Sequence, residues 1–186
     1  NLNFSTKIVN LGGQTDPNKY SDLLKEVVDK KDSVGGIVEI KVNGCKIGLG
    51  EPYFDSLEST IAHLLFSVGG VKGVSFGIGF AGVEMLGSEF NDLIVDSKGT
   101  TKTNHNGGIN GGISNGNEIN VKVFVKPTPS IFLPQETYSF KDNKVESLVI
   151  EGRHDAAIII RSMVVLEACV AIALADAKLI KKAYEV

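Results

Sequence analysis

Within EGRHDAAIIIRS, residues 151–162, lie both arginines of the chain, Arg153 and Arg161, leaving the other 17 of its 19 Lys and Arg residues as lysine. A guanidinium fork grips a carboxylate or phosphate through two hydrogen bonds, where an ammonium offers a point charge. Arg153 is therefore the first candidate for an anion clamp. Asp155, two positions on and beside a run of aliphatic residues, is placed to work as a base. An Arg–Asp pair is equally a structural device, and the sequence leaves both readings open. His154, between them, points to the other side if the segment is extended, and then faces solvent.

A second stretch able to do chemistry is KPTPS, Lys126–Ser130. Lys126 brings a cation, Pro127 and Pro129 fix the backbone, and Thr128 and Ser130 bring hydroxyls. Such a corner holds a ligand's heteroatoms with little entropy left to lose; it also reads as an ordinary turn after a strand. The third stretch is TNHNGGINGGISNG, residues 103–116, with five glycines in its last ten positions. It lacks the Lys-Ser/Thr ending of a P-loop, and it precedes a strand, whereas a dinucleotide fingerprint follows a strand and opens a helix. Ile109 and Ile113 are apolar anchors that a free linker does not need. The reading is an ordered, functional loop, with His105 at its edge on the surface.

These segments need a scaffold. NLNFSTKIVNLGG opens in strand-like alternation, Asp16 caps the start of a helix at Pro17, and Tyr20, Leu23, Leu24, Val27 and Val28 follow at helical spacing. Residues 35–44 form a strand with Val38, Ile40 and Val42 on one face. A helix follows with Asp55 and Glu58 spaced for reciprocal capping, and Leu57, Ile61, Leu64, Leu65 and Val68 facing inward. KGVSFGIGF and EINVKVFVKP are further strands, and a last helix runs from about Arg161 to Tyr184. Strands grouped between helices predict an α+β fold with antiparallel sheet.

The 186 residues, 42% of them apolar, suit one domain with a real core. A net charge of −3 gives no positive field for nucleic acid. Cys45 and Cys169 stand apart, with no partner at metal-ligand spacing; the expectation is a reducing compartment and no metal. The longest apolar run, residues 163–177, holds Glu167 and Asp176 and is too short for a bilayer span.

In order, GLGEPYFDSLESTIAHLLFSVGGVKGV, GSEFND, TNHNGGINGGISNG, VKPTPSI and GRHDAAIIIR…VVLEACVAIALAD closely resemble the C-terminal half of chorismate synthase, over roughly residues 35–178. The resemblance implies a β-α-β sandwich with antiparallel sheets packed on helices and a cytoplasmic homotetramer. It implies the anti-1,4 elimination of phosphate from 5-enolpyruvylshikimate 3-phosphate to give chorismate, in the shikimate pathway of aromatic amino acid biosynthesis. The family needs reduced FMN without net oxidation, and whether this protein would reduce its own flavin with NADPH is left open.

Carried over by position, the resemblance puts flavin contacts at Gly69 and Gly70, where many members have Asn-Ala, at Gly111, at Lys126, Pro127, Thr128, Pro129 and Ser130, and at Arg153. Asp155 matches the aspartate proposed to relay the substrate's proton. The usual Arg-His-Asp-Pro-Cys reads Arg-His-Asp-Ala-Ala here, which loosens the turn and removes no ionisable group. The expectation is that position 111, the corner at 126–130 and the couple at 153 and 155 share one isoalloxazine pocket, with the bare glycines of 103–116 as a ligand floor. The family's Gly-x-Ser-His-Gly and its N-terminal Arg- and His-bearing stretches are absent. Residues 1–186 are thus expected to be the C-terminal half of such a domain and inactive alone. The alternative is a flavin-binding or assembly module without turnover.

Overall fold

The computed structural model describes residues 1–185. Its centre is a four-stranded antiparallel sheet in the order β1-β2-β6-β3, formed by Asn3–Leu11, Gly36–Asn43, Ile119–Val125 and Val71–Phe76 respectively. Strict alternation decides which side is buried. In β2 and β6, Val38 lies opposite Val123, Ile40 opposite Val121 and Val42 opposite Ile119, all six fully buried. The intervening Glu39, Lys41, Asn120 and Lys122 occupy the other face.

Two helices cover the apolar side. α2 (Leu57–Phe66) contributes Leu57, Ile61 and Leu65, and α4 (Ile159–Tyr184) contributes Leu166, Val170, Ala173 and Leu174. The side chain capping α2 is Ser56, accepting from the Ser59 N–H at 3.0 Å, and not Asp55. Asp55 ends a short 3-10 turn before it. Asp16 caps the 3-10 turn at Pro17 as expected, and α1 (Tyr20–Asp29) follows.

The first half of α4 is nearly apolar all round, which predicts burial on every side there. One side lies on the sheet and α2, but Val164 is 71%, Ile172 58% and Leu179 65% exposed. The helix layer therefore has one covered and one open apolar side. No helix among the described residues is long and apolar enough to cross a membrane.

Sequence periodicity does not reveal three smaller pieces: α3 (Gly87–Phe90), the hairpin of β4 (Ile109–Asn110) and β5 (Ile113–Ser114), and the hairpin of β7 (Gln135–Ser139) and β8 (Lys144–Leu148). The first two belong to one long excursion between β3 and β6.

Candidate functional site

β6 determines where the chemistry-bearing segments lie. The Gly-rich hairpin enters this strand and the proline corner leaves it, and seven residues of strand are about 23 Å long. At the exit, the Lys126 N–H donates to the Gly70 carbonyl at 2.9 Å. A Cβ added to Gly70 would meet Ile158 Cδ1 at 3.0 Å and Val125 Cγ1 at 3.6 Å. The Val34 N–H reaches the Ala156 carbonyl at 2.8 Å, and Ser33 Oγ donates to the Thr128 carbonyl at 2.6 Å. The turn at 69–70, the corner at 126–130 and the run into α4 thus meet at one end of the sheet.

Gly111 lies elsewhere. The adjacent Gly112 carbonyl accepts from the Leu57 N–H at 2.8 Å, at the start of α2, whereas Gly69 and Gly70 follow that helix's end. Ten helical residues separate the two places by about 15 Å. The expectation of three segments in one pocket is corrected to two at one end, with the Gly-rich hairpin at the other.

The glycine floor also contracts. Gly111 and Gly112, at φ 59° and 89°, supply the two positive-φ positions of a tight hairpin turn. A Cβ on Gly112 would overlap the Glu51 carbonyl and stand 2.8 Å from Ser56 Cβ; one on Gly108 would crowd the Glu118 backbone. Those glycines permit close packing. At Gly111, which is exposed, a Cβ would meet nothing within 4 Å.

The segment leading into this hairpin is pinned by Asp92, whose side chain is 4% exposed. Its Oδ1 accepts from Thr103 Oγ1 at 2.7 Å and the His105 N–H at 2.8 Å; its Oδ2 accepts from the Asn106 N–H at 3.0 Å and Asn106 Nδ2 at 2.9 Å. Burial alone would push this carboxyl up, but the bonds from Asn106, Thr103 and His105 together outweigh it and bring it down to about 2. His105 is consequently not a surface residue: its Nδ1–H donates to the Phe90 carbonyl at 3.0 Å.

In the arginine segment, Asp155 Oδ1 pairs with Arg161 Nη2 at 3.3 Å. Arg153 is exposed and makes no ion pair among the described residues. Its guanidinium fork is free for a ligand, and the structural pair belongs to the other arginine. His154 does not face solvent. Its Nε2–H donates to the Ile150 carbonyl at 2.9 Å, and its ring meets Phe132 edge-on at a centroid distance of 4.5 Å. It thereby ties the Gly152–Asp155 loop to the chain just beyond Ser130.

Whether this end suits a flavin can be tested against its own atoms. Thr128 Oγ1 is buried without a hydrogen-bond partner, a state costing about 1–3 kcal/mol. Lys126, two residues before it, is half-buried, Arg153 is exposed with no ion pair among the described residues, and Gly69 is exposed with nothing within 4 Å of an added Cβ. A hydroxyl short of a partner, two cations and an uncluttered backbone suit a planar, hydrogen-bonding, anionic cofactor.

The family model described as chorismate synthase matches residues 3–179. The chorismate synthase of Chitinophaga pinensis is 53% identical over 159 residues, covering 86% of this chain and 48% of that protein. That of Acetivibrio thermocellus is 47% identical over 168 residues, covering 87% and 42% respectively. A crystal structure of a chorismate synthase superposes with a TM-score of 0.77 at 25% identity, over 97% of this chain and 58% of that one. The chain spans about half the length of the curated relatives it matches.

Proposed function

Because the chain belongs to the chorismate synthase family, we propose that it serves the flavin-dependent elimination of phosphate from 5-enolpyruvylshikimate 3-phosphate, as the C-terminal half of a complete enzyme. The observation carrying this reading is the Lys126–Gly70 backbone bond, since it joins two of the segments the resemblance assigns to one cofactor. The rest of the enzyme would pack on the open apolar side of α4, which leaves residues 1–186 inactive alone. Its assembly would be a cytoplasmic homotetramer.

In the reaction the C–O bond to phosphate breaks with its electron pair leaving on oxygen, a ring proton is lost, and those C–H electrons become part of the new diene. No net oxidation occurs. Reduced FMN, when bound, supplies an electron-rich ring that stabilises the charge developing as phosphate departs.

The chain's own residues would do the rest. Pro127 and Pro129 hold Thr128 and Ser130 in a preset backbone, so little order is lost on binding. Lys126 and Arg153 balance the anionic charge in a partly desolvated place. Gly69 and Gly70 let the backbone come close to the ring, and Gly111 is proposed as a contact reaching the ligand from the far end of α2. Asp155, with Oδ1 held by Arg161, keeps Oδ2 to receive the substrate's proton.

The test is turnover of the full-length protein with reduced FMN and 5-enolpyruvylshikimate 3-phosphate, followed as chorismate formed. Asp155→Asn should lower kcat strongly and leave flavin affinity within about three-fold, since a base acts in the transition state. A wild-type protein that binds both ligands and forms no chorismate would sink the proposal.

A further inference from the structure

Arg161 occupies the first turn of α4, two residues after Ile159. A cation there faces the positive end of the helix dipole, an unfavourable arrangement. The helix offers nothing local to offset it: its first turn has no acidic residue and its N-cap, Ile158, has no side chain to accept a bond. Among the described residues the one carboxylate that reaches Arg161 is Asp155, at 3.3 Å from Nη2.

Stability does not account for this pair. The side chains are 67% and 35% exposed, and ion pairs open to solvent contribute little. Orientation does account for it. The loop carrying Asp155 is fixed on one flank, where His154 bonds Ile150 and packs on Phe132. Among the described residues Asp155 accepts no hydrogen bond, and Arg161 is the cation that pairs with its carboxyl. Arg161 is anchored in turn, because its N–H donates to the Ile158 carbonyl at 3.1 Å at the start of a 26-residue helix.

We infer that Arg161 is a positioning residue, which holds Asp155 Oδ1 so that Oδ2 is presented for proton transfer, while Arg153 is left to the anionic ligand. This rests on the reading of Asp155 given above. The contact uses one guanidinium nitrogen and one oxygen, so a lysine of suitable reach can replace it in part, which a bidentate clamp would not allow.

The experiment is a double-mutant cycle in the full-length protein, comparing R161Q, R161K, D155N and D155N/R161Q by kcat, KM, oxidised-FMN affinity and thermal midpoint. R161Q should lose about 10- to 100-fold in kcat, the scale of a misplaced catalytic group, with KM, FMN affinity and midpoint close to wild type. R161K should recover kcat to within about three-fold of wild type. In the D155N background the second change should cost nothing more, because Arg161 acts through Asp155 alone.

A full additional loss in the double variant overturns the inference and leaves the reading of Asp155 standing. So does a fall in midpoint and FMN affinity that tracks kcat in both R161Q and R161K, the pattern of a structural residue. If D155N alone turns over normally, the reading of Asp155 falls and the inference falls with it.

Discussion

The Gly70 carbonyl accepts from the N–H of Lys126, 56 positions later, at 2.9 Å, and this bond registers the turn after α2 against the end of β6. Gly70 has φ 95° and its added Cβ would stand 3.0 Å from Ile158 Cδ1, so both its conformation and its neighbour select glycine. Gly69 is under neither constraint.

The two glycines should therefore respond differently. Gly70→Ala forces a side chain into a left-handed conformation costing about 1–2 kcal/mol and should loosen the Lys126 bond, lowering the thermal midpoint. Gly69→Asn enters open space, leaves the midpoint unchanged, and restores the residue that many family members carry there; FMN affinity should rise a few-fold. Thermal melts of both variants check the first expectation and titration of flavin fluorescence the second, and weaker binding in Gly69→Asn would place the cofactor elsewhere.

The Gly-rich turn permits a parallel separation. Gly112→Ala collides with the Glu51 carbonyl and Ser56 and displaces the carbonyl that accepts from Leu57, so the amides of the first turn of α2 should exchange faster with deuterium. Gly111→Ala collides with nothing and carries only the conformational cost of φ 59°, about 1 kcal/mol. Exchange at Leu57 should stay near wild type in this variant. A change in FMN affinity then reports a ligand contact at position 111, and an unchanged affinity removes it from the site.

Asp92 makes the same excursion pH-dependent. Its carboxyl lies at about 2, below its ordinary 3.8, so its contribution is fully present above pH 4 and is lost as pH falls through 2. The difference corresponds to about 2 kcal/mol. Asp92→Asn should release the amides of His105 and Asn106 to faster exchange at pH 7, while wild type and variant should converge as pH approaches 2. Equal protection at pH 7 would show that the loop holds without this carboxylate.

Strand and helix alternation was readable in the sequence because buried faces dictate it: Val38, Ile40 and Val42 could face only one way. The resemblance reached the family because spaced motifs such as VKPTPSI and GRHD carry more information than composition. What sequence could not supply was distance. The strand between Gly111 and Lys126 was readable, but not that Gly112 would pack at the start of α2 while Lys126 bonds Gly70 beyond its end, and the glycines at 107, 108 and 112 look alike in a string although they serve close packing. Arg153 and Arg161 stand in one short window, and only the geometry shows which one reaches Asp155. A basic residue in a helix's first turn was the available clue to Arg161, and the sequence places that residue near the start of the last helix without asking what offsets it.

The division between the two arginines leads to a contrast in ionic behaviour. Arg153 is exposed with no carboxylate partner among the described residues, so its role depends on the charge and planarity of a ligand. Arg153→Lys keeps the charge and loses the fork; it should weaken binding of an anionic cofactor or substrate several-fold, and Arg153→Gln about ten-fold or more. Raising salt should narrow the gap between Arg153→Gln and wild type, because exposed charges are screened over about 10 Å at 0.1 M. Arg161→Gln should show no such salt-dependent gap in affinity, since its charge is spent on Asp155. Isothermal titration with FMN at two ionic strengths measures all three variants, and equal salt responses at positions 153 and 161 would erase the distinction.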